Sequence, residues 1–202
     1  MSDPKEPLLD LGSRPHMVKG RGFSFHLPLA ERVRAARGVR QAIVKVTSFS
    51  HGFRGVRDHL DYISREGELA LEKDTGEVLE GREMQKELVA DWLVDFDASK
   101  KSRDTANIVF SMPPGSNVEA LRAAVRNTAA KAFPNHEWVF AIHQDRNHPH
   151  AHMVVKMRGK EKGKKLQLKK AELYKLRETF AEASREQGVE LAASPRAARG
   201  VG

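Results

Sequence analysis

The amino-acid sequence predicts an α+β protein, a two-layer sandwich with helices packed on one face of a mainly antiparallel, five-stranded sheet. Two observations support this fold class. Between residues 41 and 191, short segments rich in β-branched and aromatic residues alternate with segments of helical periodicity. Two strand segments, 137–143 and 150–157, are joined by residues 144–149 alone, a connection that suits an antiparallel pair.

The strand predictions come from short runs with β propensity that end at turn residues. The five strands are expected at residues 42–49, 106–112, 137–143, 150–157 and 164–168. The stretch 73–77 resembles a hairpin turn between two further, very short strands. A short basic helix is expected at 29–37.

Two helices are predicted in the first half of the chain from apolar residues at helical spacing. The first contains Val56, Leu60 and Ile63, and Gly67 is expected to end it. The other covers 82–96, where the pattern is weaker.

Two more helices are predicted in the second half. One is expected to begin at Ser116, where Glu119 completes a capping box, and to run to about residue 133. The other spans about 169–187 and ends at Gly188. Residues 1–40 are expected to form a basic, partly flexible extension, 41–191 the catalytic domain, and 192–202 a flexible tail or linker.

Composition restricts the classes of function. The 202 residues contain no cysteine, which excludes disulfides and thiolate metal sites and favours a cytoplasmic location. No secretory signal is recognisable, and no apolar run is long enough to cross a membrane, so membrane insertion is not expected. The formal net charge of +8 favours a polyanionic partner, either nucleic acid or an acidic membrane surface.

Positive charge is concentrated just after the fourth predicted strand. Segment 158–170 has one acid, Glu161, against seven bases: Arg158, Lys160, Lys162, Lys164, Lys165, Lys169 and Lys170. Such a run can contact a phosphate backbone, although it is equally typical of a solvated loop.

Three histidines are expected to converge on one face of the antiparallel pair. His150 and His152 alternate along one strand and therefore point to the same side, and His143 ends the strand before it. Neutral imidazoles bind divalent transition ions, and three of them leave positions free for water or substrate. The alternative is a structural or solvent-facing cluster. We expect Asp145 to accept an N–H from a ligand imidazole, with direct metal binding as its second option.

Tyr62 is one of two tyrosines and lies off the buried stripe of the first helix. It is therefore a candidate nucleophile, or alternatively a tyrosine packed at the rim of the core. A phenol has a pKa near 10, so it needs activation by a nearby metal or base. Tyr174, within a regular amphipathic helix, is expected to be an ordinary, partly buried residue.

Over residues 42–191 the chain resembles the catalytic domain of conjugative relaxases, members of the HUH endonuclease superfamily, and in particular the mobilisation group that includes the T-DNA border endonucleases. Three motifs carry the resemblance. They are the nucleophile motif at 60–67, a second motif at 107–115 and the metal motif His-x-Asp-x₄-His-x-His at 143–152. The sequence departs from the family pattern in its 40-residue N-terminal extension, and the long C-terminal region usual in the family is expected to be either missing or removed.

The resemblance implies that Tyr62 attacks a phosphate of single-stranded origin-of-transfer DNA and keeps the 5′-phosphate, so that the strand can be rejoined. It assigns the metal, Mn²⁺ or Mg²⁺ with other transition ions as options, to the three histidines, with Asp145 supporting catalysis. The residues that it and the charge pattern assign to DNA are Ser111, Arg65, Arg158, Lys160, Lys164 and Lys165.

The same resemblance implies relaxosome accessory proteins and a type IV secretion coupling protein as partners, and a bacterial cytoplasmic location with export alongside the DNA as an option. Three other functions remain open. A rolling-circle initiator or transposase of the superfamily would place its histidines before the tyrosine. A non-catalytic DNA-binding module would not need an intact site, and a zinc hydrolase would favour a glutamate beside the histidines, which is absent.

Overall fold

The computed structural model describes residues 17–20, 23–26, 28–96, 102–145, 147–161 and 165–194. Its contacts divide the chain into two units, residues 39–193 and residues 1–38 with 194–202. The smaller unit contains an antiparallel hairpin of β1 (Met17–Gly20) and β2 (Phe23–His26), followed by α1 (Leu29–Ala36). The short helix predicted at 29–37 is therefore confirmed.

The larger unit contains one six-stranded sheet and four helices within its described residues. In chain order they are β3 (Ile43–Ser50), α2 (Gly52–Ile63), β4 (Leu71–Lys73), β5 (Val78–Leu79), α3 (Gly81–Leu93), β6 (Thr105–Ser111), α4 (Val118–Ala132), β7 (Trp138–His143), β8 (His150–Lys156) and α5 (Lys170–Glu186). The strand order is β3-β6-β8-β7-β4-β5, and every neighbouring pair is antiparallel. The α+β class and the antiparallel sheet are confirmed.

The sheet differs from the prediction in its fifth strand. Segment 164–168 is not a strand within its described residues, where Lys165 makes a single bridge to Arg158. Its alternating leucines, Leu166 and Leu168, instead pack against the core from an irregular segment. The hairpin predicted around 73–77 supplies β4 and β5, which extend the sheet from β7.

Helices cover both faces of the sheet, whereas the sequence predicted one covered face. On β8, Ala151, Met153 and Val155 belong to the core beneath α4 and α5. Val154, which points the opposite way, belongs to a second core with α2 and α3. Every residue of β7 is buried, as expected for a strand between two layers. No helix among the described residues is long and apolar enough to span a membrane.

Two helix ends also differ from the sequence prediction. Helix α4 begins one residue later than expected, because the Asn117 side chain, rather than Ser116, accepts the backbone N–H of Glu119 at 2.7 Å. Helix α2 ends at Ile63, and Gly67 lies beyond it in a left-handed turn rather than at the helix stop.

Candidate active site

The three histidines converge because of the register between β7 and β8. His143 is paired with His150, and His152 lies two residues further along β8 on the same side, the face that α2 covers. The ring centroids are 4.5 to 5.3 Å apart, and one nitrogen of each ring lies within 4.8 Å of the others. This donor set fits a divalent transition ion. The predicted convergence is thus present, while metal binding stays a prediction.

Hydrogen bonds to backbone carbonyls decide which ring nitrogen two of these histidines offer. His143 Nε2 lies 2.6 Å from the carbonyl oxygen of Ile63, and because a carbonyl only accepts, Nε2 donates and Nδ1 is left as the ligand atom. His150 Nδ1 lies 3.3 Å from the carbonyl oxygen of His148, which leaves Nε2. For His143, a carbonyl therefore has the orienting role that we predicted for Asp145.

Asp145 instead forms an ion pair with Arg65, with 2.8 Å between Oδ2 and Nη2. Partial desolvation raises the pKa of Asp145, but the hydrogen bond from its own backbone N–H and the electrostatic influence of Arg65, His143 and His150 more than offset this. The net pKa is lowered, so the carboxylate is ionised at neutral pH.

Tyr62 lies in the last turn of α2, directly beside the histidines. Its side chain is 61% exposed, and its ring meets that of His152 edge-on at 5.9 Å between centroids and an angle of 90°. Exposure of the ring leaves room for a large substrate, and the helix stripe of Leu60 and Ile63 anchors the backbone beneath it. His59, one turn earlier, lies 5.9 Å from the Tyr62 ring, and burial lowers its pKa, so this imidazole is neutral at neutral pH.

The turn after Tyr62 is held by a buried polar contact that the sequence analysis missed. The Ser64 hydroxyl donates to Gln85 Oε1 at 2.9 Å and accepts the N–H of Gly67 at 3.1 Å. Ser64 and Gln85 are both buried. The available signal was Gln85 itself, a polar residue in register with Leu88 and Trp92 on the apolar stripe of α3.

The backbone conformation of this turn restricts which residues can occupy it. Arg65, Glu66 and Gly67 have φ values of 52°, 59° and 93°, in the left-handed region. A Cβ at Gly67 would lie 2.8 Å from the backbone nitrogen of Arg82, so no other residue fits without a shift. Arg82 also contacts Glu66 at 3.4 Å, which ties the turn to α3.

The residues predicted to bind DNA fall into two groups. Ser111 ends β6 opposite His150, and Arg65 pairs with Asp145 in the loop between β7 and β8 (residues 144–149, called the metal loop), so both are at the site. The basic residues of segment 158–170 lie past the other end of β8. At 3.3 Å per residue, the distance along β8 from His150 to Lys156 is about 20 Å. Lys160 there pairs with Asp74 at 2.7 Å.

Of the rest of that basic segment, Arg158 is exposed, Lys165 donates to the Ser102 hydroxyl at 3.3 Å, and Lys164 lies outside the described residues. The structure therefore does not bring the described part of this segment to the histidines. His148 is half-buried in the loop, where its carbonyl oxygen accepts from His150.

The fold and the site together define a histidine-cluster domain with an adjacent tyrosine, and comparison with known proteins gives the family. The model for the relaxase family described as MobA/VirD2-like, nuclease domain, matches residues 62–189. The chain belongs to this family. It is also 30% identical over 164 residues to the T-DNA border endonuclease VirD2 of Rhizobium radiobacter, and equally to that of Agrobacterium fabrum, with 71% of this chain aligned.

The aligned region spans 39% and 37% of those two relatives, so the chain matches well under half of their length. A solved structure described as "Molecular Basis of Vancomycin Resistance Transfer in Staphylococcus aureus" has a similar fold, with a TM-score of 0.53 at 12% identity. That similarity covers 77% of this chain and 99% of the solved one.

Proposed function

We propose that the chain is a relaxase nuclease domain that nicks single-stranded DNA at an origin of transfer, through a covalent 5′-phosphotyrosine at Tyr62, and can rejoin the strand. The observation that carries the proposal is the exposed Tyr62 ring standing edge-on against His152, within a three-histidine cluster. Membership in the relaxase family and the similarity to border endonucleases support it.

The residues of the site suit a reversible transfer of a phosphodiester. The Tyr62 oxygen forms a bond to phosphorus while the bond from phosphorus to the 3′ oxygen breaks; the phenol proton leaves and the departing 3′ oxygen takes up a proton. The reverse reaction restores the original strand because one ester replaces another. A divalent ion held by the three histidines would polarise the phosphate oxygens, and Mn²⁺ suits imidazole ligands better than Mg²⁺ does.

The surroundings of Tyr62 fit a DNA strand rather than a small molecule. The tyrosine lies on an open surface, and the Arg65 guanidinium is 41% exposed beside it, where it can meet a phosphate. Ser111 ends the neighbouring strand opposite His150. We further propose that the domain acts in bacterial cytoplasm within a conjugative system, with relaxosome proteins and a type IV secretion coupling protein as partners.

Covalent capture from a random pool tests the proposal and needs no defined nick-site sequence. The protein is mixed with Mn²⁺ and a pool of single-stranded oligonucleotides that carry a randomised centre, and adducts that survive SDS are isolated and sequenced. With an enriched oligonucleotide, a label at the 3′ end should stay with the protein and a label at the 5′ end should leave.

The two tyrosines provide matched variants. Tyr62→Phe should abolish the adduct, and Tyr174→Phe should retain it, because Tyr174 lies on α5 at the opposite face of the sheet. An adduct that persists in Tyr62→Phe, or a wild-type protein that forms none with any oligonucleotide in the pool, would contradict the proposal.

A further inference from the structure

A single ion pair connects the turn that follows Tyr62 with the loop that follows His143. Arg65 comes three residues after the tyrosine, and Asp145 comes two residues after the histidine. Their side chains meet at 2.8 Å and are 41% and 45% exposed. The pair therefore links the segment that carries the nucleophile to the segment that carries a metal-binding histidine.

The turn is contacted from both sides. Arg65 and Glu66 have left-handed backbones, which side chains other than glycine adopt at a cost. On one side α3 holds the turn, through Gln85 to Ser64 and through Arg82 to Glu66. On the other side, the contacts from the metal loop and its strand are Asp145 to Arg65 and His143 to the Ile63 carbonyl.

We propose that the pair of Arg65 and Asp145 is a positioning contact that sets the turn against the metal loop and so places Tyr62 relative to the histidines. The inference rests on the proposed nicking function. It assigns Asp145 a role through Arg65 rather than as a metal ligand. It also assigns Arg65 a role in the rate of the reaction, besides any contact with DNA. The Arg65 guanidinium is held by Asp145 of the metal loop, so it fixes the turn that follows Tyr62.

Fluorine NMR gives a readout that is independent of catalysis. The chain has two tyrosines, so 3-fluorotyrosine labelling yields two signals, and Tyr174→Phe assigns the one from Tyr62. We expect Arg65→Gln and Asp145→Asn to shift the Tyr62 signal similarly. The charge-exchanged Arg65→Asp/Asp145→Arg protein should return it towards the wild-type position, since aspartate tolerates a left-handed backbone.

An exposed ion pair of α3, between Glu83 and Lys86, provides the control. Glu83→Gln and Lys86→Gln should leave the Tyr62 signal unchanged. Calorimetric titration with Zn²⁺ then separates the two roles of Asp145, with His143→Ala as the reference for a lost ligand. Loss of a residue that hydrogen-bonds to a metal-binding histidine lowers metal affinity by roughly tenfold or more. Both Arg65→Gln and Asp145→Asn should weaken Zn²⁺ binding by less than that.

Nicking of an enriched oligonucleotide completes the test. A misplaced nucleophile costs up to about 100-fold in rate, so each single variant should lower kcat by roughly 10- to 100-fold with little change in KM. The neutralised double variant Arg65→Gln/Asp145→Asn should be no slower than either, and charge exchange should recover most of the rate.

Three results would overturn the inference while leaving the proposed function intact. Loss of Zn²⁺ binding in Asp145→Asn to the level of His143→Ala would make Asp145 a ligand. A rise in KM confined to Arg65→Gln would make Arg65 a DNA contact alone, and a Tyr62 signal that ignores both single variants would show that the pair positions nothing. A wild-type protein that never nicks would instead contradict the proposed function.

Discussion

Removal of the Ser64 hydroxyl should destabilise the domain far more than the loss of one small group suggests. In Ser64→Ala, the N–H of Gly67 loses its acceptor and Gln85 Oε1 loses its donor. Each partner left unsatisfied in a buried place costs about 1–3 kcal/mol. Because Gln85 is 3% exposed while Gly67 is partly exposed, we expect a loss of roughly 2–4 kcal/mol in the free energy of unfolding.

A double-mutant cycle with Gln85→Leu shows whether the cost arises at this contact. Gln85 Nε2 is buried without a partner, and the Ser64 hydroxyl also lies 3.3 Å from the Asp61 carbonyl oxygen, an alternative acceptor. Gln85→Leu therefore removes one unsatisfied donor and leaves the serine an acceptor, and its net effect should stay within about 1 kcal/mol.

In the double variant no Gln85 oxygen is left unsatisfied, so it should be more stable than the sum of the two single effects by about 1–2 kcal/mol. Urea unfolding followed by circular dichroism measures all four proteins, and equal m-values would confirm comparable transitions. Additive effects, or a Ser64→Ala cost below about 0.5 kcal/mol, would refute the assignment of this contact as the support of the turn.

Three further predictions concern other parts of the domain. Gly67→Ala should lower both the urea midpoint and adduct formation, because the methyl group meets Arg82 and the backbone is left-handed; an unchanged midpoint would contradict this. In thermal unfolding, Lys156→Met should destabilise the domain by about 1–3 kcal/mol, because the Asp95 and Glu137 carboxylates lose the ammonium that pairs with both; Glu137→Leu should also destabilise it, because the buried ammonium and Trp92 Nε1 each lose a partner, and unchanged midpoints would contradict this. Burial lowers the pKa of His136 below 6.5, so the folded chain binds fewer protons than the unfolded chain, and stability present above pH 6.5 is lost as the pH falls through the folded pKa. His136→Asn should therefore reduce the loss of stability measured between pH 7.5 and 5.5. An unaltered dependence of stability on pH would show that His136 does not cause this loss.

Runs of residues with β propensity predicted the strands that build the site. The segments that became β6, β7 and β8 are six or seven residues long and rich in β-branched and aromatic residues, and the short connection after His143 indicated an antiparallel pair. That register alone brings His143 opposite His150. Periodicity also separated Tyr62 from the buried stripe of its helix, so its exposure was expected.

The contacts that orient these residues could not be read from the same patterns. The acceptor for His143 is the carbonyl of Ile63, eighty residues earlier, and any residue at that position has a carbonyl. The Ile63 carbonyl can accept from His143 only because α2 packs across β7 in the folded domain. The strands β4 and β5 have three and two residues, too few to show a period, and the covering of both sheet faces depends on where α2 and α3 pack.

The sequence analysis assigned Arg65 and the basic residues of segment 158–170 alike to DNA binding, but they lie at different distances from the histidines. The segment with Lys160 and Lys165 lies about 20 Å from the histidines along β8, beyond the roughly 8–10 Å over which exposed charges act at physiological ionic strength. In the proposed reaction, its charges would therefore add to the affinity for flanking DNA but not to the stabilisation of charge at the scissile phosphate. Arg65 lies next to Asp145 in the metal loop, within that range. Among the predicted basic residues that the structure describes, Arg65 is thus the one placed to affect the reaction proposed for Tyr62.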